Sequence, residues 1–237
     1  MDIPRVYDFF NLIGMPYEDL FRRRATPIWE IIPRLPDYVK ELFDFQEVSP
    51  ISETERARLR KDWVWVGKRV AIGRDTKVYP FAYISDDVVI GRNCVIGQGA
   101  VLKGPLILCD NCVVGPHSEV GKSFFFPGAK AAHQNFVGES LIGWGVNLGA
   151  MSKTANLKLD QSEISIWIDE EKVPTGLSRL GAVLGDGTSV GGGASLNPGA
   201  LLGKYCRVGP NVAVPNHYYH GGTCFKSPLP EIKLLTS

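Results

Sequence analysis

The chain has 237 residues, 44% of them apolar, enough for a buried core in one large domain or two small ones. Its 26 Lys and Arg against 25 Asp and Glu leave a formal charge of +1, so no global basic field recommends nucleic acid or an anionic membrane as partner, and any anion site has to be local. Asp2, Glu18 and Asp19 interrupt the first 30 residues, nowhere do 18 apolar residues run together, and five cysteines occur without a secretory pattern; this predicts a cytoplasmic protein with free thiols.

Residues 1–60 read as a helical cap, with helix-like clusters at 7–12, 17–21 and 28–45 broken by Pro16, Pro27, Pro33 and Pro36. Its expected job is to cover the unpaired strand edges at the end of the repeat that follows, so its deletion should lower solubility before it touches chemistry.

Residues 61–216 carry that repeat. An aliphatic residue returns every sixth position at Val66, Ile72, Val78, Ile84, Ile90, Ile96, Leu102, Leu108, Val114 and Val120, with Phe126 closing the run. It resumes at Ile142 and Leu148, then at Leu184, Val190, Leu196, Leu202, Val208 and Val214. Four residues after each aliphatic stands a small or apolar side chain, as at Ala82, Cys94, Ala100, Cys112 and Ser118. A period of six does not fit a helical stripe at 3.6; it fits a solenoid of short parallel strands around an apolar interior. Gly67, Gly73, Gly91, Gly97, Gly115 and Gly121 directly follow an aliphatic and are expected to supply positive φ at the turns.

Two stretches read as irregular loops: 127–141, where the register slips by two, and 157–182, whose alternating apolar residues suggest an excursion. Such interruptions are where function tends to sit. Residues 217–237 read as an irregular tail, with at most one helical turn at 231–235. Cys109 and Cys112 resemble half a metal or redox motif, but no second C-x-x-C completes it and Cys112 sits on a small buried repeat position, so core packing is the better reading. His217 and His220 lack further ligands, and Gly192 with its neighbouring glycines lies on the repeat; no metal site is expected.

The segment from Lys130 to Asn156 contains Lys130-Ala-Ala-His133, Val146-Asn147-Leu-Gly-Ala150 and Asn156. It resembles the K-A-x-H, G-D, V-N-x-G-A-G and N pattern of the acetyltransferase domain of bifunctional glucosamine-1-phosphate acetyltransferase/N-acetylglucosamine-1-phosphate uridyltransferase. The likeness runs from about Lys103 to Val214, and the companion uridyltransferase domain has no counterpart ahead of the repeats. The resemblance implies an all-β solenoid, a left-handed parallel β-helix, assembled as a homotrimer. It implies an acetyl-CoA-dependent N-acyltransferase acting on glucosamine 1-phosphate or a related amino sugar phosphate. By the same likeness His133 is the general base, and the backbone N–H of Ala150 the oxyanion donor. Asn147 and Asn156 hold the sugar, and Lys103 and Lys122 face its phosphate. Ala150, Met151, Gly192 and Pro210 line the acyl-CoA path.

The chemistry agrees with that assignment of types. An ammonium cannot attack a thioester, so a base with a pKa near neutrality is needed at the amine, and histidine's ordinary value of about 6.5 meets the requirement. The chain departs from the pattern at Phe136, which stands for a tyrosine, at Gly121, which moves a lysine to Lys122, and at Met151, which replaces a glycine; Trp144 adds a ring at a turn read as nearby. These departures leave two alternatives: a nucleotide-linked amino sugar as acceptor, or a non-catalytic β-helix that binds a sugar nucleotide. His117, the other histidine on the repeat, is expected to point outward from a regular coil.

Overall fold

The computed structural model describes residues 2–21 and 26–227. The six-residue period becomes a three-sided parallel β-solenoid. Its first face begins with Trp65–Val66, its second with Val70–Ile72 and its third with Lys77–Val78. The third face is a single sheet of eight strands, and the first two merge into one sheet of 14 because Val101–Leu108 and Glu119–Phe125 run unbroken around the corner between them. Most solenoid strands point one or two aliphatics inward, and Lys153–Thr154 points Thr154 there. The inward set, from Val70 through Ile84, Leu102, Val120 and Leu148 to Val214, forms one continuous core along the axis. Apolar burial along that core, at about 25 cal/mol per Å², is what holds the coils together, since no coil encloses a core alone.

The glycines serve a different purpose from the one expected. Those directly after the aliphatic do not have positive φ. They stand where successive coils touch: a Cβ on Gly91 would lie 2.7 Å from the backbone of Cys109 and Asp110, and one on Gly149 would lie 2.6 Å from Gly192 N. After Gly73, Gly91, Gly97 and Gly115 the left-handed residue comes two positions later, at Asp75, Asn93, Gly99 and His117. Between the third and first faces it forms a column of Phe81, Gly99, His117, Gln134, Met151, Gly193 and Asn211.

The stretch 127–141 is not an irregular loop. It contains Lys130–Ala131 and Phe136–Gly138, both in the ladders. The slip of two is two separate losses of one residue at the corner between the first and second faces. Inward Val120 is followed by inward Phe125, not Phe126, and inward Val137 by inward Ile142. Ladder partners are accordingly 18 residues apart at Val101↔Glu119 and 17 apart at Glu119↔Phe136 and Phe136↔Lys153. Nor does the solenoid stop at 216: Tyr218–Tyr219 and Cys224–Phe225 add strands to the second and third faces. The helical turn expected at 231–235 lies outside the described residues.

The N-terminal segment does two jobs rather than one. Helix α3 (Glu53–Lys61), capped by Ser52 Oγ accepting from Glu55 N, closes the end of the solenoid: Leu59 plugs the core and the Arg56 guanidinium donates to the carbonyls of Val66, Gly67 and Lys68. The described apolar residues from Ile3 to Val48 lie along the side. Helices α1 (Val6–Phe9) and α2 (Ile31–Asp44) and the turns between them pack on the outward row of the second face, Ala71, Val89, Ile107, Phe124, Leu141, Val183 and Leu201. Phe10 stacks on Phe126 at 4.3 Å and Phe21 meets Phe124 edge-on at 5.1 Å. Helix α2 runs through Pro33 and Pro36 instead of breaking there; burial of Ile31, Leu35, Tyr38, Val39 and Leu42 on one stripe outweighs the lost hydrogen bond. The excursion after Asn156 forms an antiparallel hairpin, Ser165–Ile168 with Glu171–Pro174, whose Ile164, Ile166 and Ile168 cover the rest of the same face. The second face is thus clad by the chain itself, while the outward residues of the first and third remain exposed or half-buried. All five cysteines are free, among the described residues no group of His, Cys, Asp or Glu could hold a metal, and no helix is long and apolar enough to cross a membrane.

Candidate functional site

The corner between the third and first faces collects five of the site residues singled out by sequence, His133, Ala150, Met151, Gly192 and Pro210. His133, Ala150, Gly192 and Pro210 occupy the same position in successive coils. The order is set by backbone bonds from Met151 N to His133 O at 2.9 Å, Gly193 N to Ala150 O at 2.7 Å and Asn211 N to Gly192 O at 2.9 Å. Met151 follows Ala150 in the left-handed column with its side chain exposed. The Ala150 N–H has no hydrogen-bond partner among the described residues, and Ala150 is exposed, so a donor is free at this corner one coil from His133.

The turn carrying His133 is braced from inside. Asn135 is buried; its Oδ1 accepts from His133 N at 2.9 Å, while its Nδ2 donates to Gly149 O at 2.7 Å and to Ser152 O and Oγ. Its own N–H donates to Ser118 Oγ at 3.0 Å. One amide therefore ties three coils together under the histidine, leaving the imidazole on the exposed side. Sequence reasoning passed over Asn135. Its signal was an amide at an inward position that elsewhere takes Ala, Cys or Ser.

A second group lies at the opposite edge of the first face. Lys122 Nζ is 3.7 Å from Glu139 Oε1, and Glu139 Oε2 accepts from Asn156 Nδ2. Lys103 Nζ is paired with Glu119 Oε1 at 2.7 Å. Each lysine read as a phosphate ligand thus already faces a carboxylate. The half-buried Phe136 stands outward on the strand between the two edges. Glu139, 7% exposed, was also missed, although it stands where the acetyltransferase motif has its aspartate.

Asn147 does not join either group. It is exposed in the third face, in ladder register with Lys130 and Ser189. Trp144 is further off still. Its Nε1 donates to Asn11 O and its N–H to Asp186 Oδ1, which places it at the corner between the second and third faces, under the N-terminal segment. His117 is exposed on the corner one coil before Gln134, as its position on the repeat implied. Cys94 and Cys112 point inward, and Cys109 is buried beneath the N-terminal segment. His217 is stacked against Trp167 at 6.0 Å. A groove of about 900 Å³ runs between residues 14–17 and the turns around Arg92 and Asp110, and His133 does not line it.

Comparison with known proteins bears on this arrangement. Residues 69–104 match the family model for the bacterial transferase hexapeptide (six repeats). Over 103 residues, 44% of this chain and 26% of the relative, it is 32% identical to a bifunctional sugar-1-phosphate nucleotidylyltransferase/acetyltransferase of Sulfurisphaera tokodaii. Over 97 residues it is 35% identical to the bifunctional protein GlmU of Methanococcus vannielii, covering 41% of this chain and 23% of that one. The chain therefore spans about a quarter of the length of these relatives. Among solved structures, a UDP-N-acetylglucosamine acyltransferase from Campylobacter jejuni aligns over 65% of this chain and 66% of its own, with 16% identity and a TM-score of 0.42.

Proposed function

We propose that this hexapeptide-repeat protein is an acyl-CoA-dependent N-acyltransferase, acetylating an amino sugar of the glucosamine 1-phosphate type. The observation that carries the reading is the corner column: an exposed histidine on a braced turn, one coil from an unbonded N–H at Ala150. The reaction needs both. His133 takes a proton from the acceptor amine, whose lone pair then forms the new N–C bond. The oxyanion of the tetrahedral intermediate accepts from Ala150 N–H, and the C–S bond breaks to release the thiol. Ala150, Met151, Gly192 and Pro210 offer a continuous exposed edge for the extended acyl donor.

The acceptor then lies across the first face, over Phe136, toward Asn156 and Lys122. From His133 to Glu139 is six residues, at most about 20 Å of extended chain, a span that a sugar phosphate and a lysine arm cover together. Asn147 sits on another face and reaches such an acceptor only from a neighbouring copy. The second face is clad, so the two open faces are what remain for association; first face against third is a heterologous contact, which builds a closed ring when successive copies are related by a third of a turn. Exposed Trp65 and Tyr83, stacked at 4.5 Å on the first face, and exposed Trp63 and Phe81 on its corner give that contact an aromatic margin. The homotrimer belongs to this proposal, as does a cytoplasmic setting, which the five free cysteines suit.

A second acceptor class is favoured by one observation: the tight Lys103–Glu119 pair leaves less positive charge for a terminal phosphate, which suits a nucleotide-linked amino sugar. Thiol release from acetyl-CoA, measured over a panel of amino sugars, their phosphates and nucleotide-linked forms, tests the proposal. Release that depends on one acceptor is expected. No release with any of them from folded protein would leave a non-catalytic sugar-nucleotide binder.

A further inference from the structure

We infer that Glu139 is a positioning residue for the acceptor: its buried carboxylate fixes the Asn156 amide so that Oδ1, not Nδ2, is presented to the first face. The inference rests on the acyl-transfer reading of that face. Glu139 is held by its own backbone, with its N–H donating to Gly121 O at 3.1 Å and its carbonyl accepting from Gly181 N at 2.8 Å. Its φ of +43° turns the chain sharply at the shortened corner, and its side chain is 9% exposed. From there Oε2 accepts from Asn156 Nδ2. The backbone of Asn156 is tied as well, its carbonyl accepting from Leu180 N at 3.1 Å.

Gly138 makes the arrangement possible. A Cβ there would lie 2.7 Å from Asn156 Nδ2 and 3.3 Å from Phe136 Cζ, so the glycine clears the space in which amide and ring sit side by side. An amide with one N–H held by a carboxylate is fixed in orientation, with its oxygen turned to the side away from that carboxylate and open to a donor. The Asn156 oxygen held this way suits a hydrogen-bond donor, an amine or sugar hydroxyl. Lys122, 3.7 Å from the other carboxylate oxygen, is partly neutralised by the same residue. The edge of the face nearest Asn156 reads the sugar's donor groups.

Steady-state kinetics of Glu139→Ala, Asn156→Asp and the double variant Glu139→Gln with Asn156→Asp test this, with KM determined separately for acceptor and acetyl-CoA. Glu139→Ala is expected to raise the acceptor KM roughly 10- to 100-fold, the range for a lost hydrogen bond to a charged group, while the acetyl-CoA KM stays within about twofold. Asn156→Asp alone sets two carboxylates together and is expected to be equally impaired. Adding Glu139→Gln supplies an amide donor to the new carboxylate and should recover most of the loss, a result that a merely structural role for Glu139 does not give. An acceptor KM unmoved by Glu139→Ala, an acetyl-CoA KM that rises in step with it, or no recovery in the double variant would overturn the inference. Should Glu139→Ala not fold, the Asn156→Asp pair decides alone. Wild-type protein inactive on every acceptor would remove the acyl-transfer reading instead; acceptor Kd by calorimetry on the same variants then carries the same expectations, and the same contrary results overturn the inference.

Discussion

His133 and Asn135 divide one task between an exposed ring and a buried amide. Removing the ring takes away the proposed base and little else. His133→Ala is expected to lower kcat by about 10²- to 10⁴-fold with the melting temperature nearly unchanged, which rate and thermal measurements on the same preparation check. Removing the amide costs on both counts. Asn135→Ala takes the partner from the His133 N–H and the Ser152 carbonyl, while Gly149 O keeps Ser152 N and Oγ, so a loss of about 1–3 kcal/mol in urea unfolding is expected, together with a lower kcat. Full activity in Asn135→Ala would show that the turn holds itself. The two residues also mark how far sequence reaches. His133 stands out because its residue type and surrounding motif name a chemistry. Asn135 and Glu139 do not, because their work is visible only once coils 17 residues apart are stacked.

At the scale of strands and corners, the inward aliphatics were legible from their period alone, and that period sufficed for a parallel solenoid. What the period could not tell was which of two constraints a glycine answers. Gly91 has no positive φ but lies against the next coil, whereas Gly145 has a φ of +61° and open space at its Cβ position. Gly91→Ala is therefore expected to destabilise by about 1–3 kcal/mol or more through backbone overlap, and Gly145→Ala by about 1 kcal/mol through strain; equal losses in denaturant titrations would contradict this division of roles. Two residues missing at one corner resembled an irregular loop in sequence because a lost residue shifts every later position. In the ladder each loss is absorbed at a corner and the strands stay in register.

The corner under Trp144 has its own pH dependence. Asp186 accepts from Asn11 N at 2.7 Å and Trp144 N at 2.9 Å. Burial nevertheless pushes its carboxyl above the ordinary value of 3.8, against the lowering effect of those bonds. A carboxyl raised on folding binds its proton more tightly in the native state. Relative to Asp186→Asn, wild-type protein should gain stability as pH falls through the raised value toward 3.8 and lose it as pH rises again. Unfolding free energies of the two proteins across that window, with a difference running the other way, would show the anchor to be stronger than the burial.

For the molecule as a whole, the decisive feature is which of three faces is left open, and this was the least legible in sequence. The N-terminal clusters read as an end cap because a solenoid end needs one. Only α3 closes it, while residues ahead of α3 and the hairpin clad the second face. Their apolar residues have no period that names a partner, so the sequence could not say whether they cover an end or a side. Deleting residues 2–45 should uncover the row from Ala71 to Leu201 and drive aggregation, visible as loss of monodisperse protein in light scattering.

In the proposed assembly the first face of one copy meets the third face of the next, which sets His133 and Asn147 of one chain on different sides of the contact. Mixing subunits carrying His133→Ala with subunits carrying Asn147→Ala, after denaturation and joint refolding, and measuring acceptor-dependent thiol release tests that arrangement most directly. Sites built between copies regain a wild-type pair in mixed assemblies, so activity well above either variant alone is expected. Activity no greater than the two variants' separate contributions would contradict a shared site.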